Sequence, residues 1–377
     1  MRAIEAAVLH GPRDLRVEEV SLNPPAADEV RVDVRAAGVC HTDYHRYVGE
    51  MADAYPVVLG HEGAGVVEAV GEGVTGLAPG DRVVLTVTTC CGSCGPCSRG
   101  EPFHCANDDP VHRGRLLDGT RRLSRDGDPV DHFFAQSSFA QQAVVPATTA
   151  VPVPASVPFE VAALLGCGAS TGVGSVLSTA GVEPGSSVAV FGCGGVGTSA
   201  VLGAAVVHAD PCLAVDVVAE RRETATALGA THAVDPERTD PVDRTRRLTG
   251  EGVDYAFECT GKPSVQTAAL AATRPGGTTV MVGGGGGSDG PRLDARRDLV
   301  PGGKTVVGSV VGSLRPAEDV PRYARLYEQG VLDLDALVTR RYDLADLSRA
   351  FEDLEAGVGV RGVVTCDEGV RADRGPV

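Results

Sequence analysis

The sequence lacks two features that would each indicate a different class of protein. No apolar run approaches the roughly 18–20 residues that cross a membrane, although apolar residues make up 43% of the 377. Basic residues are outnumbered, since 34 Lys and Arg stand against 50 Asp and Glu, for a formal net charge of −16. Nucleic-acid binding needs a basic surface. The composition therefore predicts no membrane and no nucleic-acid partner, and it favours small-molecule chemistry.

The first residues, MRAIEAAVLHG, are not typical of a secretory signal, because they contain no adequate apolar core. We therefore predict a cytoplasmic protein, in which thiols stay reduced and clustered cysteines more often bind metal than form disulfides. The chain is long enough for about two or three domains with cores of their own, so it does not depend on disulfide bonds. The odd total of eleven cysteines agrees with this expectation.

Cysteine is concentrated in one segment, CCGSCGPCSRGEPFHC, which spans residues 90–105 and holds five of the eleven. Cys91, Cys94, Cys97 and Cys105 have the spacing C-x2-C-x2-C-x7-C, and Cys90 is out of step with it. Four thiolates close a tetrahedral shell, which suits a structural zinc and leaves no position for a substrate. The alternative is a set of unliganded or redox-active thiols. If the segment holds a structural zinc, the reaction takes place elsewhere in the protein.

The pattern of short apolar runs divides the chain. Residues 1 to about 85 alternate β-like runs with turn signals, as in an irregular all-β barrel, and the polar residues 107–131 suggest a surface excursion. From about residue 155 an Ala-rich helix precedes the strand SSVAVFG, a helix from Val196 and the strand CLAVD. Strands that alternate with helices predict a doubly wound parallel sheet. The fold class is therefore α/β.

A glycine motif follows the strand SSVAVF directly. Gly192, Gly194 and Gly197 form G-x-G-x-x-G, and Asp216 lies 19 residues beyond the last glycine, at the end of the next strand. Such glycines allow a tight turn, the approach of a pyrophosphate and close helix packing, while the acid binds a ribose. Because Asp216 would repel a 2′-phosphate, the motif favours NAD. Arg221 and Arg222 could each reach a phosphate, which leaves NADP open.

The motifs GVCHTD, GHEGAGVVEAVGEGV, GCGAST, FGCGGVG and GVDYAFECTG occur in this order, with the four-cysteine segment among them. From about residue 3 to residue 366 the chain resembles the zinc-dependent alcohol dehydrogenases of the medium-chain dehydrogenase/reductase superfamily. The resemblance implies a GroES-like β-barrel catalytic domain at 1–168 with a structural-zinc lobe at about 88–108. It also implies an NAD-binding Rossmann domain at 169–309 and a return to the catalytic domain, with a tail, at 310–377.

The same resemblance assigns roles to residues. Cys40, His61 and Cys167 would hold a catalytic zinc with one open position, the second of two zinc ions per chain. Asp43 would orient the imidazole or cap a turn, and Glu62 would be a transient ligand or a plain charge. Thr42 would accept the substrate proton and pass it through the nicotinamide ribose to His45. The remaining cofactor contacts would be His41 and Arg361 at the pyrophosphate, Arg221 nearby, and Thr171 and Val196 at the nicotinamide.

Other histidines and cysteines receive ordinary assignments. Without the motif, His41 and His45 could be surface histidines, and His104, His112 and His132 are assigned to the surface. Cys193 is interpreted as a small space-filling residue.

The predicted substrate pocket contains Val87, Phe133, Phe134 and Val310. Val87 stands where the family often has an aromatic ring, so it leaves extra volume in the pocket. Together with the two phenylalanines, this volume favours a medium-sized apolar or aromatic primary alcohol or its aldehyde. A related branch oxidises thiol adducts of formaldehyde, but Asp109 stands where its glutathione-using members carry an arginine. A non-enzymatic zinc-ribbon protein is the remaining alternative. Retention of the 107–131 segment resembles the dimeric members of the family, so we predict a homodimer.

Overall fold

A computed structural model of the protein describes residues 1–51, 54–284 and 293–366. The chain divides into two compact units, and the first contains Met1–Cys167, Arg315–Glu328 and the described residues from Val338 onward. The second contains Gly168–Leu314 and Gln329–Leu337. The predicted tail lies outside the described residues.

The strands are β1 Arg2–Gly11, β2 Asp14–Leu22, β3 Glu29–Val39, β4 Val57–Val58, β5 Gly63–Val70, β6 Arg82–Leu85, β7 Leu123–Arg125, β8 Asp128–His132, β9 Gln142–Pro146, β10 Ala150–Pro152, β11 Val188–Phe191, β12 Cys212–Val215, β13 His232–Val234, β14 Val253–Glu258, β15 Thr273–Met281, β16 Thr305–Gly308, β17 Val338–Asp343 and β18 Arg361–Thr365. The α-helices are α1 His41–Tyr47, α2 Gly95–Ser98, α3 Asp109–His112, α4 Phe159–Leu165, α5 Gly168–Gly174, α6 Gly195–Val206, α7 Ala219–Ala227, α8 Pro241–Thr249, α9 Pro263–Ala272, α10 Pro316–Glu328 and α11 Leu347–Glu355. Short 3-10 and π turns connect several of them.

A closed barrel of β1, β2, β7, β8 and β4 forms part of the first unit. Because side chains alternate along a strand, Ile4, Ala6 and Val8 of β1 fill one core, while Ala7 and Leu9 pack into another. The segment 107–131, predicted to be a surface excursion, is mostly exposed or partly exposed, but it also contributes strands β7 and β8 to this barrel. Leu123 of β7 and Val130 of β8 pack into the same core as Ile4, Ala6 and Val8. Because the segment is mostly polar, its composition does not indicate these core positions. The buried apolar residues of this segment are Val111, Leu116, Leu123 and Val130.

A seven-stranded sheet completes the β structure of the first unit. Its order is β10-β6-β5-β3-β18-β17, and β9 also pairs with β3. Strands β18 and β3 are antiparallel, with Gly362 opposite Val39. This register brings the C-terminal part of the chain next to the loop that begins at Cys40.

The second unit contains a parallel six-stranded sheet in the order β13-β12-β11-β14-β15-β16. Strand β11, the first of these strands in the sequence, lies near the centre of the sheet. The strand order reverses beside β11, as in dinucleotide-binding folds. The predicted fold class, a doubly wound sheet with a GroES-like barrel domain, is confirmed. The Ala-rich helix is broken between Leu165 and Gly168. Within the described part of the chain, no single helix is long and apolar enough to cross a membrane, and one bent pair, Phe159–Leu165 with Gly168–Thr179, passes by length and composition only.

Candidate active site and metal-binding groups

The four-cysteine lobe is assembled almost entirely from local backbone. The sulfur atoms of Cys91, Cys94, Cys97 and Cys105 lie within 4.8 Å of one another. Helix α2 begins directly after Cys94, whose Sγ is 3.4 Å from that of Cys97. Backbone amides point at the sulfurs, and those of Ser93 and Cys94 lower the pKa of the Cys91 thiol to about 5. All eleven cysteines are free. Burial raises the pKa of Cys97 and of Cys105 instead. The four sulfur atoms lie close enough together to bind one metal ion.

A second group of candidate metal ligands comes from distant parts of the first unit. One donor atom from each of Cys40, His61, Glu62 and Cys167 lies within 4.8 Å of the others. Cys40 precedes α1, His61 and Glu62 precede β5, and Cys167 lies at the break after α4. A hydrogen bond from Cys167 and the nearby His61 outweigh burial and hold the pKa of Cys40 well below its ordinary value. This set can bind a cation.

Asp43 contacts the Nδ1 side of the His61 imidazole. Its Nδ1 lies 3.1 Å from Oδ2 of Asp43, whose Oδ1 accepts from the Gly60 amide at 2.9 Å. Gln136 donates to the His61 carbonyl at 2.9 Å and accepts from Gly63. Sequence reasoning missed Gln136 because nothing in the sequence brings it close to His61. The contact of Asp43 orients the ring and leaves Nε2 for a ligand.

Glu62 and Arg361 form a fully buried ion pair beside the cysteines. Burial raises the pKa of Glu62 to about 7 despite the opposing charge of Arg361. Among the described residues, neither Glu62 Oε1 nor His61 Nε2 has a hydrogen-bond partner. Buried polar atoms normally have partners. Two thiols, an imidazole and a spare carboxylate oxygen fit zinc, as does the four-cysteine lobe.

Helix α1 carries the predicted proton path. Thr42 Oγ1 lies 3.8 Å from Cys40 Sγ, which places this hydroxyl beside the group formed by Cys40, His61, Glu62 and Cys167. The rings of His41 and His45 are 6.3 Å apart. His45 Nδ1 lies 2.6 Å from Oε2 of Glu50. No motif in the sequence indicates the contact between Glu50 and His45. Gly49 is the available signal, because a glycine after a helix marks a turn of the chain back toward that helix.

Two phenylalanine rings pack against His61. The centroids of Phe133 and Phe134 lie 5.7 and 5.2 Å from the imidazole and 4.8 Å from each other. The loop that carries them is strained, since φ is 50° at Phe134, 53° at Ala135 and 61° at Ser137, and strain of this kind clusters at functional sites. Both rings also line a cleft with Met51. The remaining predicted pocket residues are Val87, whose amide donates to Gly166, and Val310, which is 45% exposed in the second unit.

The glycine loop of the second unit has the form a pyrophosphate needs. Gly192 has φ of 89°, and a Cβ there would collide with Thr260. A Cβ at Gly197 would collide with the carbonyl of Gly192, so only glycine lets α6 approach the strand. Gly194 faces open space, with Arg221 Nη1 about 4.0 Å from where a Cβ would stand. The space lies at the N-terminus of α6, where anions are favoured.

Asp216 closes the other side of this loop. Its Oδ2 accepts from the Cys193 amide at 2.7 Å and its Oδ1 from the Val218 amide at 2.8 Å, so the carboxylate is fixed. Arg222 is already engaged, since it donates to the Asp216 carbonyl and lies 3.2 Å from Asp235.

The predicted nicotinamide contacts also meet in the second unit. Thr171 is buried in α5 next to Gly172, and a Cβ at Gly172 would collide with the carbonyl of Val196 in α6. The close packing of α5 on α6 thus brings Thr171 near Val196.

His132 is not the surface residue that the sequence analysis expected. It is 2% exposed, because β8 turns it inward beside the barrel. Its Nε2 accepts from the Arg122 amide at 3.0 Å, and burial, with the charges of Arg122 and Arg121, lowers its pKa to about 3.

Comparisons with known proteins agree with this architecture. Residues 26–155 match the alcohol dehydrogenase GroES-like domain family, and residues 195–329 match the zinc-binding dehydrogenase family. A probable S-(hydroxymethyl)glutathione dehydrogenase of Schizosaccharomyces pombe is 38% identical over 364 residues, 96% of each chain.

Two solved structures resemble the protein over nearly their whole length. An alcohol dehydrogenase zinc-binding domain protein from Burkholderia ambifaria has a TM-score of 0.93 at 39% identity, with 97% of this chain and 99% of that chain covered. Benzyl alcohol dehydrogenase from Acinetobacter calcoaceticus has a TM-score of 0.92 at 36% identity, with the same coverage of 97% and 99%.

The fold and the metal-binding groups define an oxidoreductase of the alcohol dehydrogenase type. The chain belongs to the zinc-dependent alcohol dehydrogenase family of the medium-chain dehydrogenase/reductase superfamily, as its sequence motifs predicted.

Proposed function

We propose that this enzyme oxidises a medium-sized apolar or aromatic primary alcohol to its aldehyde, or catalyses the reverse reduction, with NAD as the hydride carrier. The observation that carries the proposal is the pair of phenyl rings, 5.7 and 5.2 Å from the imidazole of His61. Aromatic rings beside a metal-binding group favour a substrate whose reactive carbon bears an apolar or aromatic substituent.

The roles of the metal-binding residues follow from their contacts. Cys40, His61 and Cys167 would hold the catalytic ion, and Glu62 would lie beside it, paired with Arg361. The four cysteines of the lobe would hold a second ion with a structural role, for two zinc ions per chain. When bound, zinc supplies Lewis acidity toward the substrate oxygen, and nicotinamide supplies the hydride acceptor.

Protein side chains would handle the proton. The Thr42 hydroxyl, beside Cys40, would accept the proton from the alcohol. His45, which is partly exposed at the end of the same helix, would release it to water, a task that suits an imidazole.

NAD is favoured over NADP by the arrangement around Asp216. The fixed carboxylate can still accept from ribose hydroxyls and would repel a 2′-phosphate. Arg222 is held by the Asp216 carbonyl and by Asp235. Arg221, near the glycine loop, would contact the cofactor, and so would His41, Thr171, Val196 and Arg361. The test is initial-rate kinetics with each nucleotide, and a higher kcat/KM with NADP would contradict the proposal.

The substrate is tested with a matched set of alcohols. We expect kcat/KM for benzyl alcohol and hexanol to exceed that for ethanol and 2-propanol, and we expect Phe134→Ala to reduce the preference for benzyl alcohol over ethanol. Equal loss with all alcohols would show that Phe134 does not select the substrate.

A thiol-adduct formaldehyde dehydrogenase is the second candidate, because a 38% identical relative carries a name of that kind. Asp109 is exposed and pairs with Arg113 at 3.1 Å, so it presents a negative charge where the glutathione-using branch has an arginine. S-(hydroxymethyl)glutathione belongs in the same panel, and a kcat/KM above that for benzyl alcohol would establish this second function.

The homodimer is also proposed. Strand β16 ends the six-stranded sheet and pairs with β15 on one side, so a second copy could extend the sheet from its other edge. Light scattering would measure the mass. The cytoplasmic location likewise remains a proposal, which localisation of a tagged protein in cells would test.

A further inference from the structure

The segment that follows helix α1 folds back onto the helix. Gly49 has φ of 85°, its amide donates to the Arg46 carbonyl at 3.2 Å, and the amide of Glu50 donates to the His45 carbonyl at 2.9 Å. These two bonds form a Schellman motif, which ends helices with a glycine in the left-handed region. A Cβ on Gly49 would also lie 2.8 Å from Pro12 Cγ. The backbone therefore fixes the position of Glu50 independently of its side chain.

This turn places the Glu50 carboxylate against the ring of His45. The distance from Nδ1 to Oε2 is 2.6 Å, and the two side chains are 28% and 47% exposed. An ionised carboxylate can only accept hydrogen bonds. Nδ1 must therefore carry a hydrogen when the pair forms. In the neutral ring Nε2 is then the bare nitrogen.

We propose that Glu50 is a positioning residue for proton release: it fixes the orientation and the tautomer of His45, so that Nε2 is the atom that takes up and releases the proton. This inference rests on the proposed role of His45. In the oxidative direction Thr42 takes the proton from the alcohol and gives up a proton that is relayed to Nε2, where it forms an imidazolium. This proton then passes from Nε2 to water, which restores the neutral ring. The Nδ1 hydrogen stays on the Glu50 side throughout.

Several groups besides Glu50 surround His45. The Tyr44 ring lies 6.1 Å and the His41 ring 6.3 Å away, both on α1. Glu355 at the end of α11 interacts with Tyr44 and with Arg13 instead. Its side chain is 47% exposed, the same value as for Glu50. Glu355→Ala is therefore a matched control for the loss of one carboxylate near this helix.

The decisive measurement is nitrogen NMR of the zinc-loaded enzyme without cofactor. Histidine ¹⁵N labelling and comparison with His45→Gln assign the His45 signals among the nine histidines. We expect the neutral ring to show a protonated Nδ1 and a bare Nε2 in the wild type and in Glu355→Ala. In Glu50→Ala the Nε2–H tautomer should dominate. An unchanged tautomer in Glu50→Ala would overturn the proposal.

Glu50→Gln separates orientation from tautomer. A carboxamide can accept from Nδ1–H or donate to a bare Nδ1. This variant should therefore keep the orientation of the His45 ring but no longer favour one tautomer. Both Glu50 variants should keep wild-type zinc content and melting temperature, since the Schellman bonds are backbone bonds. A melting temperature that falls in Glu50→Ala without a change of tautomer would assign Glu50 a merely structural role.

Kinetics then test the link to proton release. We expect Glu50→Ala to lower kcat for alcohol oxidation near neutral pH by up to about tenfold, less than a general acid–base group contributes, and to leave the KM for NAD unchanged. It should cause no further loss in a His45→Gln background. If His45→Gln alone keeps the wild-type pH profile, the proposed proton path fails, whereas the NMR result for Glu50 stands or falls separately.

Discussion

The two candidate metal groups in the first unit are built in opposite ways. The lobe takes its four thiols from fifteen consecutive residues, 91–105, and three of the four are only partly buried. The other group takes Cys40, His61, Glu62 and Cys167 from widely separated parts of the sequence, and it contains buried polar atoms without partners among the described residues. Four thiolates would close the coordination of a zinc ion, whereas Cys40, His61 and Cys167 would leave one position open for a substrate.

The comparison is tested most strongly at Cys167. We expect Cys167→Ser to lower zinc content from about two to about one per chain and to reduce alcohol oxidation on the order of 10³-fold, because Lewis acidity worth several kcal/mol is lost. Metal analysis and kcat/KM are the measurements. Full activity with one zinc per chain would show that the buried group is not the reactive one.

The orientation of His61 gives the next largest effect. Asp43→Asn removes the carboxylate 3.1 Å from His61 Nδ1, and we expect activity or zinc affinity to fall by about 10–100-fold. Asp14→Asn is the control, since Asp14 is 45% exposed and pairs with Arg16. A variant as active as this control would remove Asp43 from the site.

A substitution in the four-cysteine lobe should lower stability and leave catalysis nearly unchanged. We expect Cys97→Ser to lose one zinc and to lower the melting temperature on the order of 5 °C, while kcat per remaining buried zinc stays within about twofold of the wild type. Cys90→Ser, which alters the neighbouring thiol outside the spacing, should change neither. Calorimetry and metal analysis measure both variants, and a selective loss of kcat in Cys97→Ser would contradict a structural role.

Lowering the pH should reduce the free energy of unfolding through His132, which lies beside the barrel. The pKa of His132 is lowered to about 3, so the unfolded chain binds a proton below about pH 6.5 while the folded chain does not. Stability from this residue is therefore present above that pH and is lost as the pH falls toward 3. Between pH 7 and 5 the loss should be about 2 kcal/mol.

His132→Gln can still accept from the Arg122 amide and cannot titrate, so it should remove this part of the pH dependence. His112→Gln is the control, because His112 is 62% exposed. Denaturant unfolding with zinc in excess gives the free energies at each pH. Parallel curves for His132→Gln and the wild type would show that His132 does not contribute.

Sequence reasoning succeeded where a motif is local and failed where burial depends on distant strands. The glycine loop has the predicted form because adjacent residues fix a strand, a turn and a helix. The surface interpretation of 107–131 missed its core residues, because they are sparse in the sequence and the strands that carry two of them pair with β2 and β4. His132 was misjudged for the same reason.

The sequence alone determined the four-cysteine lobe and the form of the glycine loop, since side-chain and amide directions within a few residues follow from local backbone geometry. Spacing could not join Cys40, His61 and Cys167, which a family resemblance connected. Only the tertiary structure paired Glu62 with Arg361, through the register of β18 on β3, and placed Gln136 against His61 and Glu50 against His45. These contacts depend on strand pairing and on how the chain turns after a helix, and a one-residue shift in either would separate the groups.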